Sequence, residues 1–371
     1  VKKKKLLSPQ KSFSITQCYG AMGLKQWCCK CAASTFVLAF LVMAIIVWNV
    51  EYLPDVDVYI HDVPPRIHSN ISYNPPKSQM RRQSLIREFC SSNKEPPEEF
   101  SQYMLLDETR QLAYCRIPKV GCTNWKRALI LSTGMIKETD LNKILEPRSV
   151  DVDRDPSSFL HFSRALFWKF HIYHSDEYTQ RTLRRLLPIF FKFMFVRCPY
   201  VRLLSAYRDK FESFDRINKL HFQQTFGTYI IRRYRANATA TEIQSGSTVT
   251  FPEFLQYIVD SAKEGRPLER HWMPFHQLCD PCVHNFNFIG KLETLREDTT
   301  YVLDKIGANF AFPSSKSGPS SIRYGKNNAA SLLEYYSAIP KSLLNQITHV
   351  YAKDFELFGY SKNLNQCSMV H

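Results

Sequence analysis

The sequence predicts an α/β domain, with helices flanking a parallel β-sheet, behind a single N-terminal transmembrane helix. Three observations lead to this fold class. Residues 32–50 are apolar and carry no charge. Three short apolar runs later in the chain are each followed by a helical pattern, the order expected of a parallel sheet. The 371 residues are 44% hydrophobic and 13% aromatic, which is typical of a folded chain with a sizeable core.

The apolar segment 32–50 is long enough for a helix across a bilayer, which needs about 20 residues. Residues 1–50 contain seven lysines and no acidic residue, and acidic residues follow the segment. The positive-inside rule therefore predicts residues 1–31 as a cytosolic tail and places the rest of the chain in a lumen. A cleaved signal peptide is the alternative, but the run is long, begins late and lacks a small-x-small exit.

Beyond this anchor, residues 51–99 hold seven of the 20 prolines and show no sustained period, so they are predicted to form a stem. Residues 100–371 then remain for one folded domain. Glycosylation sequons begin at Asn70 and Asn237, on the predicted lumenal side. Seven cysteines follow the anchor, and an odd number in an oxidising lumen leaves at least one thiol or an intermolecular bridge after pairing.

The three predicted strands are residues 112–117, 190–196 and 286–289, each brief and bounded by Pro, Gly or charged residues. After the first strand an apolar face recurs at helical spacing. Its members are Trp125, Ala128, Leu129, Ser132 and Met135. Parallel strands with crossover helices fit this order best.

The first strand runs into the segment PKVGCTNWKR, residues 118–127, with a helix predicted to begin at Thr123 or Asn124. Amide groups at a helix N-terminus and the helix dipole attract anions, Gly121 allows close approach of the main chain, and Lys119 adds a positive charge. The Walker and dinucleotide glycine patterns are absent. The plain alternative is a surface turn in which Thr123 caps the helix.

The second strand runs into VRCPYVRLLSAYRDKF, residues 196–211, where a proline begins a helix. Arg197 lies at the carboxyl end of the strand. Ser205 follows about two helical turns inside the helix, where its hydroxyl can face an anion held by the Arg197 guanidinium. The formal net charge of residues 51–371 is +8, which agrees with an anionic ligand.

These two segments resemble the phosphosulfate-binding motifs of the membrane-bound Golgi carbohydrate sulfotransferases, a family that includes chondroitin and dermatan 4-O-, GalNAc 4-O- and glucuronyl 3-O-sulfotransferases. The resemblance implies 3′-phosphoadenosine 5′-phosphosulfate as the donor. It makes residues 118–124 a P-loop-like phosphosulfate-binding loop, and assigns the 3′-phosphate to the second segment. The implied donor-binding residues are Pro118, Lys119, Val120, Gly121, Cys122, Thr123, Asn124, Arg197 and Ser205, and Pro199, Arg202 and Tyr207 keep the family spacing. Arg323, in a Ser-rich loop, is a further candidate for the donor.

Two further blocks extend the resemblance over most of residues 110–361: HWMPFHQLCDPC followed by FIGKLETL, and the closing segment YAKDFELFGY. The reaction needs a base to take a proton from the acceptor hydroxyl, and histidine suits this task. His161 and His271 are the candidates, with His161 ranked slightly ahead. Lys119 is expected to stabilise the leaving phosphate in catalysis.

Cys279, Cys282, His271 and His276 have the spacing of a zinc site, but a lumenal chain favours a disulfide, either local or to Cys90, Cys115 or Cys367, and no metal is predicted. The predicted function is sulfate transfer to a sugar hydroxyl, first of all the 4-O of GalNAc in chondroitin-type glycans, by a type II Golgi membrane protein. Glucuronyl 3-O- and N-glycan GalNAc 4-O-transfer are alternatives. A membrane-tethered polyanion-binding lectin and a lumenal kinase or nucleotidase are the rivals, and the lumenal topology disfavours nucleic acid as a partner.

Overall fold

The computed structural model describes five parts of the chain, residues 77–93, 99–145, 164–212, 220–313 and 328–367. The predicted tail and anchor, residues 1–50, lie outside these parts, and so do His161 and Arg323. No helix within the described parts is long and apolar enough to cross a membrane.

One five-stranded sheet forms the centre of the described domain, in the order β3-β1-β2-β4-β5. Its strands are β1 (Met104–Asp107), β2 (Leu112–Cys115), β3 (Ile172–His174), β4 (Phe191–Val196) and β5 (Phe288–Lys291). Strands β2, β4 and β5 are parallel to one another, as the three apolar runs predict. The prediction of a parallel sheet is wrong for β1, which pairs antiparallel with both β2 and β3. The sheet is therefore mixed.

Helices surround the sheet and follow its strands. They are α1 (Lys77–Ser92), α2 (Cys122–Leu131), α3 (Glu138–Leu145), α4 (Arg164–Lys169), α5 (Gln180–Leu186), α6 (Pro199–Tyr207), α7 (Thr228–Tyr234), α8 (Ala240–Ser245), α9 (Phe251–Lys263), α10 (Phe275–Leu278), α11 (Pro281–His284), α12 (Leu295–Lys305), α13 (Asn328–Ser337), α14 (Lys341–Val350), α15 (Ala352–Leu357) and α16 (Leu364–Cys367). A π-helical turn, Arg208–Glu212, extends α6.

The core on one face of the sheet is built around Trp125 of α2. Its ring lies 4.9 Å from that of Phe193 and 4.8 Å from that of Phe195, both on β4. Trp125, Ala128 and Leu129 are buried, as their spacing predicts. The helix begins one residue before the predicted start and ends at Leu131, so Ser132 and Met135 lie beyond it. In β5 only glycine fits at position 290, because a Cβ would lie 2.3 Å from the Phe195 ring.

Helix α1 covers the edge of the sheet at β5 and corrects the predicted stem. The side-chain amide of Gln79 accepts from the N–H of Ile289 and donates to its carbonyl, both at 3.0 Å. Arg82 donates to the same carbonyl at 2.8 Å and forms a buried ion pair of 2.7 Å with Asp298 of α12. These side chains satisfy the edge strand as a neighbouring strand would. Residues 77–92, assigned to the stem by the sequence, are therefore a helix packed on the domain.

Three disulfides join distant parts of the chain. They are Cys90–Cys282, Cys115–Cys279 and Cys198–Cys367, with Cα atoms 5.5, 6.3 and 5.6 Å apart. Cys122 is a buried free thiol. Of the two outcomes expected for the seventh cysteine, a thiol or an intermolecular bridge, the structure has the thiol. Both cysteines of the CDPC segment are in disulfides, to Cys115 and Cys90, so they do not act as zinc ligands.

Buried histidines make the stability of the fold depend on pH. Burial lowers the pKa of His284 to about 4 and that of His174 to about 3, with Lys192 adding to the first shift and Arg116 to the second. The unfolded chain binds protons below about pH 6.5, whereas the folded chain does not until the lower pKa values are reached. We expect the free energy of unfolding to fall as the pH drops from 6.5 to 4, by roughly 1.4 kcal/mol per pH unit for each histidine.

Urea denaturation at a series of pH values measures this dependence. His284→Gln keeps an acceptor for the N–H of Ser101, which lies 3.1 Å from Nε2 of His284, and we expect it to give a shallower pH slope. His349→Gln changes an exposed histidine and serves as the control. An unchanged slope in His284→Gln would contradict the assignment.

Candidate active site

The loop between β2 and α2 has an unusual backbone that presents Lys119 and the start of the helix. Lys119 has φ 71° and Gly121 has φ 83°, both in the left-handed region that side chains other than glycine adopt at a cost. Ile117 and Val120 are fully buried and fix the loop to the core. Gly121 is the N-cap residue of α2 and has no side chain to accept from the first-turn amides. The loop thus has the form of an anion cradle.

A second corner lies at the end of β4, next to this loop. Cys115 of β2 pairs with Met194 of β4, so Lys119 and Arg197 follow neighbouring parallel strands at the same edge of the sheet. Parallel strands lie about 4.8 Å apart, so the two corners are adjacent. The N–H of Cys198 donates to Oε1 of Glu293 at 2.9 Å, and the disulfide from Cys198 also holds this corner. Arg197 is buried.

Arg202 of α6 ties the two corners together. Its guanidinium donates from Nε to the carbonyl of Pro118 at 3.2 Å, from Nη1 to that of Met273 at 2.6 Å and from Nη2 to that of Arg270 at 2.9 Å. Arg202 is 1% exposed, and the central carbon of its guanidinium lies 4.5 Å from the Phe275 ring centre. Arg202 therefore binds backbone carbonyls. Its position in the motif matches the family pattern, but it does not act as a phosphate ligand.

Tyr207, another residue of the same motif, also has a structural role. Its hydroxyl donates to the carbonyl of Val249 at 2.9 Å, and its ring packs against Phe251 and Phe254. Ser205, on the same helix, is half-buried. Of the polar groups on α6 that the sequence suggests for phosphate, Ser205 is thus the one whose position stays compatible with that role.

We expect Arg202→Lys to destabilise the protein by about 2–4 kcal/mol, because one ammonium cannot replace a fork that reaches three buried carbonyls. The measurement is the free energy of unfolding in urea. Arg208→Lys is the matched control, since Arg208 is a partly exposed neighbour that pairs with Glu212 at 2.9 Å. Equal stability of Arg202→Lys and wild type would contradict the structural role.

A cluster of charges surrounds the tip of the loop. Nζ of Lys119 lies 3.1 Å from Oδ2 of Asp209, and Nζ of Lys210 lies 3.2 Å from the same oxygen. Burial would raise the pKa of Asp209, but Lys119 and Lys210 outweigh it and hold the pKa well below its ordinary value. Lys210 also lies 4.5 Å from the ring centre of Phe222. Two cations share one carboxylate here, which leaves positive charge for an anionic ligand.

His271 joins this cluster from the loop before α10. Its Nδ1 lies 2.8 Å from Oε2 of Glu269, and its ring packs edge-on against Phe222 at 5.3 Å. The side chain is 11% exposed. Burial lowers the pKa of His271 to about 4; Glu269 opposes this shift, and Lys210 and Lys119 add to it. The imidazole is neutral at pH 7, so with Nδ1 donating to Glu269 its other nitrogen is a proton acceptor.

The closing segment of the chain holds the His271 loop in place. Asp354, at the start of α15, accepts the N–H of Phe275 at 2.6 Å and that of His276 at 3.0 Å. Nδ1 of His276 lies 2.7 Å from the same carboxylate, and the hydroxyl of Tyr351 donates to the carbonyl of Trp272. His276 is thus engaged by Asp354. The two downstream motif blocks contact each other directly.

The predicted site residues fall into two groups. Residues 118–124, Arg197, Ser205 and His271 lie on elements that meet at the carboxyl edge of the parallel strands. Within the loop, Pro118, Val120 and Cys122 are buried, and Thr123 and Asn124 lie half-buried in the first turn of α2. His161 and Arg323 lie outside the described residues, so their assigned roles stay predictions.

Comparisons with known proteins identify the family to which this chain belongs. The model of the sulfotransferase family matches residues 102–361. This chain belongs to the sulfotransferase family. Carbohydrate sulfotransferase 14 of Danio rerio is 33% identical over 290 residues, which are 75% of this chain and 70% of the relative. Carbohydrate sulfotransferase 11 of Mus musculus is 34% identical over 266 residues (70% and 67%), and mouse carbohydrate sulfotransferase 12 is 30% identical over 310 (78% and 70%). No solved structure matches the chain closely enough to count as a relative.

Family membership makes the chain a carbohydrate sulfotransferase, so the lectin and kinase readings no longer stand. Its acceptor is a carbohydrate and its sulfate donor is 3′-phosphoadenosine 5′-phosphosulfate. The structure places three charged residues in this site that the sequence analysis did not predict: Asp209, Lys210 and Glu269. A helical spacing of four from Ser205 to Asp209, and a carboxylate two residues before His271, are the signals that could have indicated them.

Proposed function

We propose that this sulfotransferase transfers sulfate to the 4-hydroxyl of GalNAc in chondroitin-type glycans. The observation that carries the proposal is the joint placement of Lys119, Lys210 and His271 around Asp209, beside the anion cradle. Cations at this point match the charge that develops on the leaving phosphate, and a neutral imidazole matches the hydroxyl that must lose a proton. The 4-O position rests on the motif resemblance.

The reaction breaks one S–O bond and forms another. His271 takes the proton of the acceptor hydroxyl while its oxygen bonds to sulfur, and the bond from sulfur to the bridging oxygen of the donor breaks. The electron pair remains on the 5′-phosphate, where Lys119 stabilises it. The products are a sulfated sugar and 3′-phosphoadenosine 5′-phosphate. Positioning and charge stabilisation supply the rate acceleration, as in phosphoryl transfer.

Radiolabelled sulfate transfer to a panel of desulfated glycans tests the acceptor. The panel contains chondroitin, dermatan, an N-glycan with terminal GalNAc and a glycan with terminal glucuronate. We expect label on the 4-O of GalNAc in chondroitin, located by disaccharide analysis. Label confined to uronate would overturn the proposal in favour of glucuronyl 3-O-transfer, and label on the N-glycan alone would favour GalNAc transfer in glycoproteins.

We also propose that the domain works in the lumen of the Golgi as a type II membrane protein anchored by residues 32–50. Three disulfides support an oxidising compartment. Asn237 is exposed between α7 and α8, where an oligosaccharide would fit. Removal of N-glycans should therefore increase electrophoretic mobility of the full chain, and Asn237→Gln should remove part of that change. A chain with no N-glycan would contradict this topology.

A further inference from the structure

Two arginines border the donor loop, on segments of backbone that Arg202 holds beside each other. Arg116 stands directly before the loop, after β2, and Arg270 directly precedes His271. The Arg202 guanidinium donates to the carbonyls of both Pro118 and Arg270, at 3.2 and 2.9 Å. The segments that carry Arg116 and Arg270 therefore lie side by side.

Arg116 has no carboxylate partner among the residues that the structure describes. Its Nη2 makes a long contact of 3.4 Å to the carbonyl of Gln102, and its guanidinium carbon lies 5.9 Å from the Tyr103 ring centre. Its Nε is buried and finds no hydrogen-bond acceptor in the described part of the chain. Burial lowers the pKa of Arg116, Cys122 and Asp176 oppose this shift, and the charge of Arg270 adds to it. Asp176 is itself in contact with Arg164, at 2.6 Å, so the charge of the largely buried Arg116 is only partly compensated. Burial of an incompletely compensated cation is costly, which indicates a place for an anion.

Arg270 offers the second charge. Its side chain is 34% exposed, and its Nε lies 3.6 Å from Oε1 of Glu269, a carboxylate already engaged by His271. The Arg270 guanidinium therefore keeps most of its donors for a ligand. An anion bound between Arg116 and Arg270 would lie next to the imidazole that faces the acceptor hydroxyl.

The donor has its own cationic groups, since Lys119 and Lys210 stand at the 5′ end and Arg197 at the neighbouring corner. The remaining anion in the proposed reaction belongs to the acceptor, in which a uronic acid follows each GalNAc. We propose that Arg116 and Arg270 bind the carboxylate of the uronic acid next to the GalNAc that receives sulfate. Paired guanidinium groups match a carboxylate in shape and charge. This inference rests on the proposed function and names the substrate feature that the site selects.

Carboxyl-reduced chondroitin, in which each carboxylate is replaced by an alcohol, provides the test with the full chain. We expect wild type to show about 10- to 100-fold lower kcat/KM with this polymer than with chondroitin. Arg116→Gln and Arg270→Gln should lose a similar factor with chondroitin and little more with the reduced polymer. Arg232→Gln, which changes an exposed arginine on α7, is the control and should behave as wild type. Equal activity of wild type on both polymers overturns the inference.

Nucleotide affinity separates the acceptor from the donor. The dissociation constant of 3′-phosphoadenosine 5′-phosphate should be the same in wild type, Arg116→Gln and Arg270→Gln, and weaker nucleotide binding in these variants would assign the pair to the donor instead. A further measurement is the binding of a chondroitin oligosaccharide and of its carboxyl-reduced form in the presence of this nucleotide. This binding tests the arginine pair alone, because it does not depend on which hydroxyl is sulfated. Suppose that the oligosaccharide with uronate carboxylates binds more tightly than the reduced form, but sulfate is found elsewhere than on the 4-O of GalNAc. The first result would support the arginine pair, and the second would overturn the proposed function.

Discussion

Lys119→Ala should lower kcat by a factor of 10³ or more while leaving the protein folded. Loss of one preorganised neutral hydrogen-bond donor from an oxyanion hole lowers kcat by about 10²–10³, and a full ammonium beside a leaving phosphate should count for at least as much. Folding should tolerate the change, because the pair with Asp209 is partly exposed, with 15% of the lysine and 41% of the aspartate accessible. Single-turnover sulfate transfer and thermal unfolding measure the two effects.

Lys210→Ala is the matched control, because Lys210 contacts the same oxygen of Asp209 from outside the loop. It should lower kcat by no more than about tenfold, the effect expected of a charge that acts through the surrounding field. The binding of 3′-phosphoadenosine 5′-phosphate should weaken much less than kcat in Lys119→Ala, since the lysine is assigned to charge that forms as the S–O bond breaks. Turnover of Lys119→Ala within tenfold of wild type would refute this assignment.

The residues that the sequence predicts well are those whose pattern has a single physical explanation. Strands β2, β4 and β5 are short apolar runs buried on both faces, and such runs in a chain with intervening helices indicate parallel strands. Strands β1 and β3 are missed because each contains at most three apolar residues in a row, fewer than the four to eight by which a strand is recognised. The strand-to-helix corners at Lys119 and Arg197 are found because glycine and proline mark them.

Other features are hidden from the sequence because their partners are polar and distant. Helix α1 buries Gln79 and Arg82 instead of an apolar stripe, so helical periodicity does not reveal it. Arg202 has the spacing of a phosphate ligand, but the sequence does not show whether a guanidinium meets a phosphate or three backbone carbonyls. Disulfide pairing depends on the fold in the same way, because the partners are between 164 and 192 residues apart.

His271→Ala should lower kcat by about 10²–10⁴, the usual contribution of a general base. The imidazole lies in the charge cluster around Asp209, and Nδ1 is held by Glu269 at 2.8 Å. Steady-state sulfate transfer of His271→Ala, His161→Ala and the exposed control His349→Ala separates the two candidate bases. A large loss in His161→Ala, with near-normal turnover in His271→Ala, would move the role of the base to His161.

Glu269→Gln tests the role of His271 through the dependence of kcat on pH, which a purely structural role of these residues would not change. Burial lowers the pKa of His271 to about 4, and the Glu269 carboxylate opposes this shift. Removal of that charge should lower the pKa further, so the acid limb of kcat against pH should move to lower pH. The plateau should fall about tenfold or more because a weaker base accepts the proton less readily. Bound donor adds negative charge, which raises the pKa of His271 in both Glu269→Gln and wild type. The pKa of His271 should therefore still be lower in the variant than in wild type. An acid limb at the same pH in Glu269→Gln and wild type would show that His271 is not the group that accepts the proton.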